Sequence, residues 1–393
     1  MATPPITVVQ ITTAPEALKF VQGPVGHLQR LGFVVHAISS PGALLEDFAR
    51  QTGVPVVPVT MLRRVSPLRD LKSLWQLLVA LRRIAPDVVH AHTPKGGLLG
   101  MIAAWLLRVP VRIYHMRGLP VLTATGPKRV LLTLSEKVSC ALADKVLCVS
   151  HSVRTCAIEL GLSNAAKLEV LHRGSGQGVD AQGRFNPTGL LPSTGRDVRS
   201  KLGIAHDALV LGFVGRIVRD KGMQELTEAW QSLRDEFPNL HLLVVGPFEP
   251  QDPVPAATEN ILRTDPRIHL AGEDWNSPPF YAAMDLVVLP TYREGFPNVP
   301  LEAAAMELPV VATRIPGCVD AVEDNVTGLL VPDHDAQALA EAIRRYVSDP
   351  SLRRQHGEAG RVRALRDFRP EAIWEAMSLV YNDLLSQRGI TGV

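Results

Sequence analysis

A chain of 393 residues is longer than one ordinary core accommodates, so two domains of about 200 residues each are expected. Hydrophobic residues make up 46% of it and the mean hydropathy is +0.10, yet no apolar run reaches the roughly 18 residues that span a bilayer, which argues against an integral membrane protein. The net charge of +2 conceals an asymmetry: residues 1–195 hold 21 Lys/Arg against 10 Asp/Glu, and residues 196–393 hold 20 against 29. A basic half suits an anionic partner; the competing explanation is solvated helix faces.

In chain order, a strand at Ile6–Ile11 is followed by a helix from Pro15 to Leu31, a Gly32 stop and a strand at Val34–Ile38. The pattern continues with strand Val54–Val59, amphipathic helix Leu68–Ile84, strand Asp87–His90, helix Gly96–Leu107, strand Arg112–His115, helix Lys128–Ala143 and strand Lys145–Val149. Short β-branched runs alternating with helices predict a parallel sheet covered on both faces. The Gly/Pro-rich stretch Gly174–Thr194 reads as a linker. Beyond it come strand Leu209–Val214, helix Met223–Glu236, strands His241–Val245, Ile268–Leu270 and Leu286–Leu289, helix Leu301–Met306 and strand Pro309–Ala312. The fold expected is α/β: two doubly wound Rossmann-like domains facing each other across a cleft, residues 1–187 and 188–367, with the helix Pro370–Leu385 within 368–393 crossing back to the first.

Three features bear on chemistry. Strand LVLGFVG ends in Gly215-Arg216, with Lys221-Gly222 opening the next helix. A fork donor and a point charge near one strand end suit an anion, and the helix start adds its partial positive charge; a surface turn with solvated cations is the plainer alternative. Strand DLVVLPTY runs into Arg293-Glu294-Gly295-Phe296-Pro297-Asn298-Val299-Pro300-Leu301-Glu302. Two carboxylates eight positions apart flank turn amides, an arrangement suited to a diphosphate with hydroxyl-rich sugars on either side. Taken singly, Glu302 reads as a helix-capping acid and Glu294 as a solvated loop acid. In the first domain, His115 ends a parallel strand, followed by Arg117-Gly118, and is either a ligand-facing imidazole or a core histidine.

E-G-F-P-N-V-P-L-E at 294–302, G-R-x-x-x-x-K-G at 215–222, P-V-V-A-T-R-I-P-G at 309–317, G-L-L-V-P at 328–332 and D-V-V-H-A-H-T-P-K-G-G at 87–97 together resemble the retaining glycosyltransferases of the twin-Rossmann (GT-B) fold. The nearer likeness is to the family-four branch that builds bacterial capsular, exopolysaccharide and glycan-lipid chains, and it covers nearly the whole chain. The resemblance implies transfer of a hexose-type sugar from a nucleotide diphosphate sugar, UDP favoured, to a glycan or lipid-diphosphate-linked acceptor. It implies that Arg216 and Lys221 hold the diphosphate, that Glu302 binds the ribose, and that Glu294 contacts the transferred sugar beside Gly215, Gly295, Phe296, Asn298 and Val299. His115 joins Glu294, Arg216 and Lys221 as a catalytic candidate; Thr13, His92 and Lys95 are candidates for the acceptor. One departure stands out: where many relatives have a glycine-rich turn after the first strand, this chain reads T-T-A-P-E-A-L-K-F at 12–20.

No cofactor and no metal are expected. Asp333-His334-Asp335 imitates a metal-binding D-x-D, but Asp335 stands where a helix N-cap belongs. His90 and His92 share a strand face without an evident third ligand. Cys140, Cys148, Cys156 and Cys318 show no CxxC or zinc spacing and read as thiols of a reducing compartment. Met1–Thr13 lacks the order of a secretory signal, so a cytoplasmic enzyme at the inner face of the membrane is expected. Helix 68–84 carries Arg69, Lys72, Arg82 and Arg83 with Leu71, Leu74, Trp75, Leu77 and Leu78, and 98–107 is apolar with Trp105. This surface reads either as peripheral docking to an anionic membrane or as leucines turned to the core. Alternatives in function are a nucleotide-sugar epimerase or hydrolase of the same fold and a catalytically silent nucleotide-sugar-binding module. No aromatic-basic RNA motif and no GxGxxG after the first strand occur, so neither nucleic-acid binding nor a dehydrogenase is expected.

Overall fold

A computed structural model describes residues 5–62, 64, 66–191 and 193–390. Two compact units emerge: one runs to Gln177 and resumes at Pro370, and the other is Gly178–Arg369. The division falls ten residues before the expected boundary at 187/188. Val179, Ala181 and Phe185 are buried in the second unit's core, and the Val179 amide donates to the Phe368 carbonyl at 2.8 Å.

The first unit contains β1 (Thr7–Ile11), α1 (Lys19–Arg30), β2 (Val34–Ser39), α2 (Ala43–Thr52), β3 (Val56–Pro58), α3 (Pro67–Ile84), β4 (Val88–His92), α4 (Pro94–Leu106), β5 (Val111–Met116), α5 (Gly126–Leu142), β6 (Lys145–Cys148), α6 (His151–Glu159) and β7 (Leu168–Val170). The all-parallel sheet has the order β3-β2-β1-β4-β5-β6-β7, which reverses between β1 and β4. Alternate residues along each strand enter two cores, because successive side chains leave opposite faces. Val9, Val89 and Tyr114 join the core that includes residues of α3 and α4; Val8, Val88 and Ile113 join the one that includes residues of α1. Pro15 opens only a short 3₁₀ turn, so the expected helix begins four residues later at Lys19.

The second unit contains α7 (Thr194–Lys201), β8 (Leu209–Val214), α8 (Met223–Leu233), β9 (Leu240–Val245), α9 (Ala256–Thr264), β10 (Ile268–Gly272), α10 (Pro278–Tyr281), β11 (Leu286–Leu289), α11 (Asn298–Ala305), β12 (Val310–Thr313), α12 (Cys318–Ala321), β13 (Gly328–Val331), α13 (Ala336–Ser348) and α14 (Pro350–Asp367). Its parallel sheet, β10-β9-β8-β11-β12-β13, reverses between β8 and β11. In such sheets ligands bind beyond the carboxyl ends of the strands at the reversal, which here are the loops at 215–222 and 290–297. The last helix, α15 (Pro370–Ser386), belongs to the first unit: Ile373, Met377, Val380, Tyr381, Leu384 and Leu385 are buried in the same core as Val8 and Val88. No helix among the described residues is long and apolar enough to cross a membrane.

Candidate active site

At the reversal in the second unit, the two loops are bound together by their own backbone. The Asp220 carbonyl accepts from the Tyr292 amide at 2.8 Å and from the Thr291 hydroxyl at 3.0 Å, and the Arg293 guanidinium pairs with Asp220 at 2.6 Å. Lys221 and Glu294, predicted as site residues from separate motifs, form an ion pair, with both side chains only partly exposed. Gly222 allows the approach: at φ 65° it lies so close to the Pro290 carbonyl that a Cβ there would sit 1.9 Å from the oxygen. Arg216 is exposed and pairs with Glu249.

The turn 294–297 leads directly into α11. Pro297 precedes this helix in extended conformation, and no side chain caps it. By contrast, Asp335 caps α13 through the Ala338 amide at 2.8 Å and Asp349 caps α14 through the Leu352 amide at 2.9 Å. The start of α11 thus keeps the anion-attracting character of first-turn amides at the strand reversal, where Asn298 and Val299 contribute N–H groups. Phe296 turns its ring onto Phe368 at 5.5 Å between centroids. Gly317, at φ 85°, supports the turn from behind; a Cβ there would meet the Gly295 carbonyl at 2.5 Å.

Glu302 lies on the second turn of α11 and does not reach back to cap it. Its carboxylate accepts from the buried Tyr281 hydroxyl at 2.8 Å. Burial raises its pKa, opposed by that hydrogen bond and by Arg184. The D-x-D segment is occupied structurally: Asp335 is the α13 cap, and His334 stacks on Tyr292 at 3.8 Å between centroids.

In the first unit, the residues at the strand reversal form a buried polar cluster. Register sets Gln10 beside His90 and His92 beside His115, and the period of two puts all four side chains on the face that α15 covers. Ring centroids lie 4.2 Å apart for His90–His92 and 5.2 Å for each of the other two pairs. A chain of hydrogen bonds fixes the protons. The Arg117 Nε donates to His92 Nδ1 at 3.1 Å; a guanidinium cannot accept, so His92 carries its proton on Nε2 and donates to Gln10 Oε1 at 2.7 Å. Gln10 Nε2 then donates to the Tyr381 hydroxyl at 3.1 Å, which donates to His90 Nδ1 at 2.5 Å. His90 Nε2 and His115 Nδ1 are buried without a protein partner.

Burial, and then the charge of Arg117, hold His90 down to about 3 and His115 well below the ordinary histidine range. His92 is held down by burial first, then by its neighbours His90, Arg117 and His115. Burial draws Arg117 down to about 9, so at neutral pH the cluster carries three neutral imidazoles and one cation. The spacing of His90 and His92 alone shows no third nitrogen ligand; β5 supplies one, since His115 brings ring nitrogens of all three within 4.8 Å. The surroundings nevertheless favour an anion over a metal cation. Arg117 is seated on His92, both His92 nitrogens are engaged, and the bonded network contains no carboxylate.

The three expected acceptor residues lie at this same strand reversal. The buried Thr13 hydroxyl receives the Gly96 amide at 2.8 Å and shares a 2.7 Å bond with Thr93, so side chains fix this loop. Lys95 is turned to Asp70 of α3 at 2.7 Å. Sequence reasoning missed Gln10, Tyr381 and the part played by Arg117. Strand parity places Gln10 in register with His90, but Tyr381 is 371 positions from Gln10, beyond any local signal.

Two doubly wound units, each with a charged site at its strand reversal, define the twin-Rossmann (GT-B) class. Residues 19–174 match the family model described as glycosyl transferase 4-like domain, and residues 208–349 that described as glycosyl transferases group 1. The chain is 33% identical over 377 residues to the capsular polysaccharide biosynthesis glycosyltransferase CapM of Staphylococcus aureus, covering 96% of this chain and 97% of that one. It is 27% identical, over 78% of itself and 77% of the relative, to an Escherichia coli UDP-Gal:alpha-D-GlcNAc-diphosphoundecaprenol alpha-1,3-galactosyltransferase. Anabaena HepE, solved in complex with UDP-glucose, superposes with a TM-score of 0.79 at 23% identity over 96% of this chain and all of that one, a likeness of fold. The chain belongs to this glycosyltransferase family.

Proposed function

We propose that the protein transfers a hexose-type sugar, with retention and without a metal ion, from a UDP-sugar to a glycan or lipid-diphosphate-linked acceptor in surface polysaccharide or glycoconjugate synthesis. The observation that carries this reading is the Lys221–Glu294 pair beside the uncapped start of α11 at the strand reversal, with Arg216 and Glu302 in flanking positions. Lys221, Arg216 and the first-turn amides would stabilise the departing diphosphate by fixed charge and dipole, the contribution otherwise made by a metal. Glu294 would accept from the sugar hydroxyls and Glu302 from the ribose. The acceptor would attack on the leaving-group face with a donor phosphate oxygen as base, which requires no protein nucleophile. The name of the E. coli galactosyltransferase supports a UDP-sugar donor and a lipid-diphosphate acceptor, and that of CapM a part in capsular polysaccharide synthesis; such an acceptor would be met at the inner face of a membrane. Thermal-shift screening against UDP-, GDP- and ADP-sugars, then NMR of the product anomer in excess EDTA, tests the reading. UDP-sugar stabilisation and a retained anomer are expected. An inverted product, or activity abolished by the chelator, overturns the mechanism; hydrolysis or epimerisation alone would favour the same-fold alternatives.

A further inference from the structure

The membrane association proposed above requires a surface, and the first unit carries one that the reading of helix 68–84 identifies only in part. On α3, Leu74, Leu77 and Leu78 turn toward the core, whereas Leu68, Leu71, Trp75 and Val79 do not: Leu68 is 86% exposed and Trp75 64%. Their spacing of three, four and four places them in one stripe on the solvent side. On α5 a second stripe, Val130, Leu131, Leu134 and Val138, is also exposed, with Leu134 at 56%. Helix α4 packs against both and presents Trp105 and Leu106 at its end. Monomeric proteins scatter exposed apolar residues singly, and such stripes on neighbouring helices mark an interaction surface.

The charges identify the occupant. The cations of these helices include Arg69, Lys72, Arg82 and Arg83 on α3 and Lys128, Arg129 and Lys137 on α5, all exposed. The only acids are Asp70 and Glu136, the first paired with Lys95 and the second buried against Tyr114. A second copy of the same face would bring cation against cation, since a twofold interface repeats one patch. Trp105 and Leu106 also line a hollow of about 490 Å³ with Arg108, Arg112 and Arg388, of which Arg112 and Arg388 share Asp144 at 2.7 and 2.9 Å. Apolar side chains interspersed with cations and lacking exposed acids fit the headgroup–acyl boundary of an anionic bilayer.

We propose that the solvent face of α3, α4 and α5 docks the protein on an anionic lipid membrane. The proposal rests on the reading of a membrane-bound acceptor, but its test needs no transfer reaction. The whole chain would be floated with phosphatidylcholine vesicles, with and without phosphatidylglycerol. Binding is expected only with phosphatidylglycerol, and added salt should weaken it because the charged part of the contact is screened. The pair Trp75→Ser and Leu134→Ser, and separately Lys72→Glu and Lys137→Glu, should each lower vesicle partitioning about tenfold or more with unchanged thermal unfolding. No partitioning into phosphatidylglycerol vesicles at low salt, or partitioning that neither pair alters, overturns the proposal. Self-association that these variants abolish, without vesicle binding, overturns it in favour of a second copy. Vesicle binding in a protein that fails to transfer from any UDP-sugar would leave this surface standing and remove the proposed chemistry.

Discussion

Lys221 and Glu294 lie 73 positions apart in the chain and meet as a pair that is partly open to water. The side chains are 20% and 14% exposed, so removing one partner leaves a mostly buried charge unpaired and costs stability whatever the pair does in catalysis. Lys221→Ala is therefore expected to lower the thermal midpoint, and, in the protein that remains folded, to lower the transfer rate roughly 10²–10³-fold, the scale of losing a fixed charge from a developing anion. Unchanged turnover, measured with the UDP-sugar that stabilises the protein, would remove Lys221 from the mechanism. Tyr381 makes a prediction about stability. Its hydroxyl is buried, receives from Gln10 and gives to His90, so Tyr381→Phe leaves one donor and one acceptor without partners. A loss of about 1–3 kcal/mol in denaturant unfolding is expected.

At the scale of elements, legibility followed the side chains that a strand or helix buries. Strands such as LVLGFV and LVVL were readable because parallel strands covered on both faces become continuous apolar runs. Helix α14 was not, because it buries His356, Gly357, Gly360 and Ala364, and small residues leave no amphipathic trace. Short α2 and α6 escaped for lack of length, each offering two buried residues or so to a pattern. The site divides in the same way. Arg216, Lys221, Glu294 and Glu302 could be named because each belongs to a short local motif that follows a strand. The proton order of Gln10, His90 and His92 depends on register and on a distant helix, and a linear reading cannot supply either. The Asp335 cap was local and therefore legible. Asp335→Ala should cost about 1 kcal/mol, read from unfolding curves, while transfer activity in EDTA persists; loss of activity with intact folding would restore a role for D-x-D.

Over the whole molecule, charge follows the structural division: the first unit, including 370–393, holds 21 Lys/Arg against 12 Asp/Glu, and the second 20 against 27. Global stability carries a separate pH signature from Glu136. This carboxyl accepts from Tyr114 on one oxygen and has no partner on the other, and burial raises it to about 7. A raised carboxyl favours the folded state most fully while protonated in both states, below its ordinary value near 4.5, and that contribution is lost as pH rises to about 7. Denaturant unfolding should therefore lose up to about 3 kcal/mol across this window through Glu136. In Glu136→Gln that part of the slope should vanish; an identical profile would show that the side chain is ionised at no cost.

Helix α15 gives the molecule an order of assembly. On a ribosome, residues 178–369 are complete before Pro370–Ser386 is made, so the second unit can fold while the first still lacks a wall of its core. Until that wall arrives, Val8, Val88 and Ile113 share an open apolar face, and the Gln10–Tyr381–His90 chain lacks its middle member. The histidine site is therefore completed only after the whole of the second unit has been made, and a nascent chain stalled before Pro370 would display a finished second unit and an unfinished first.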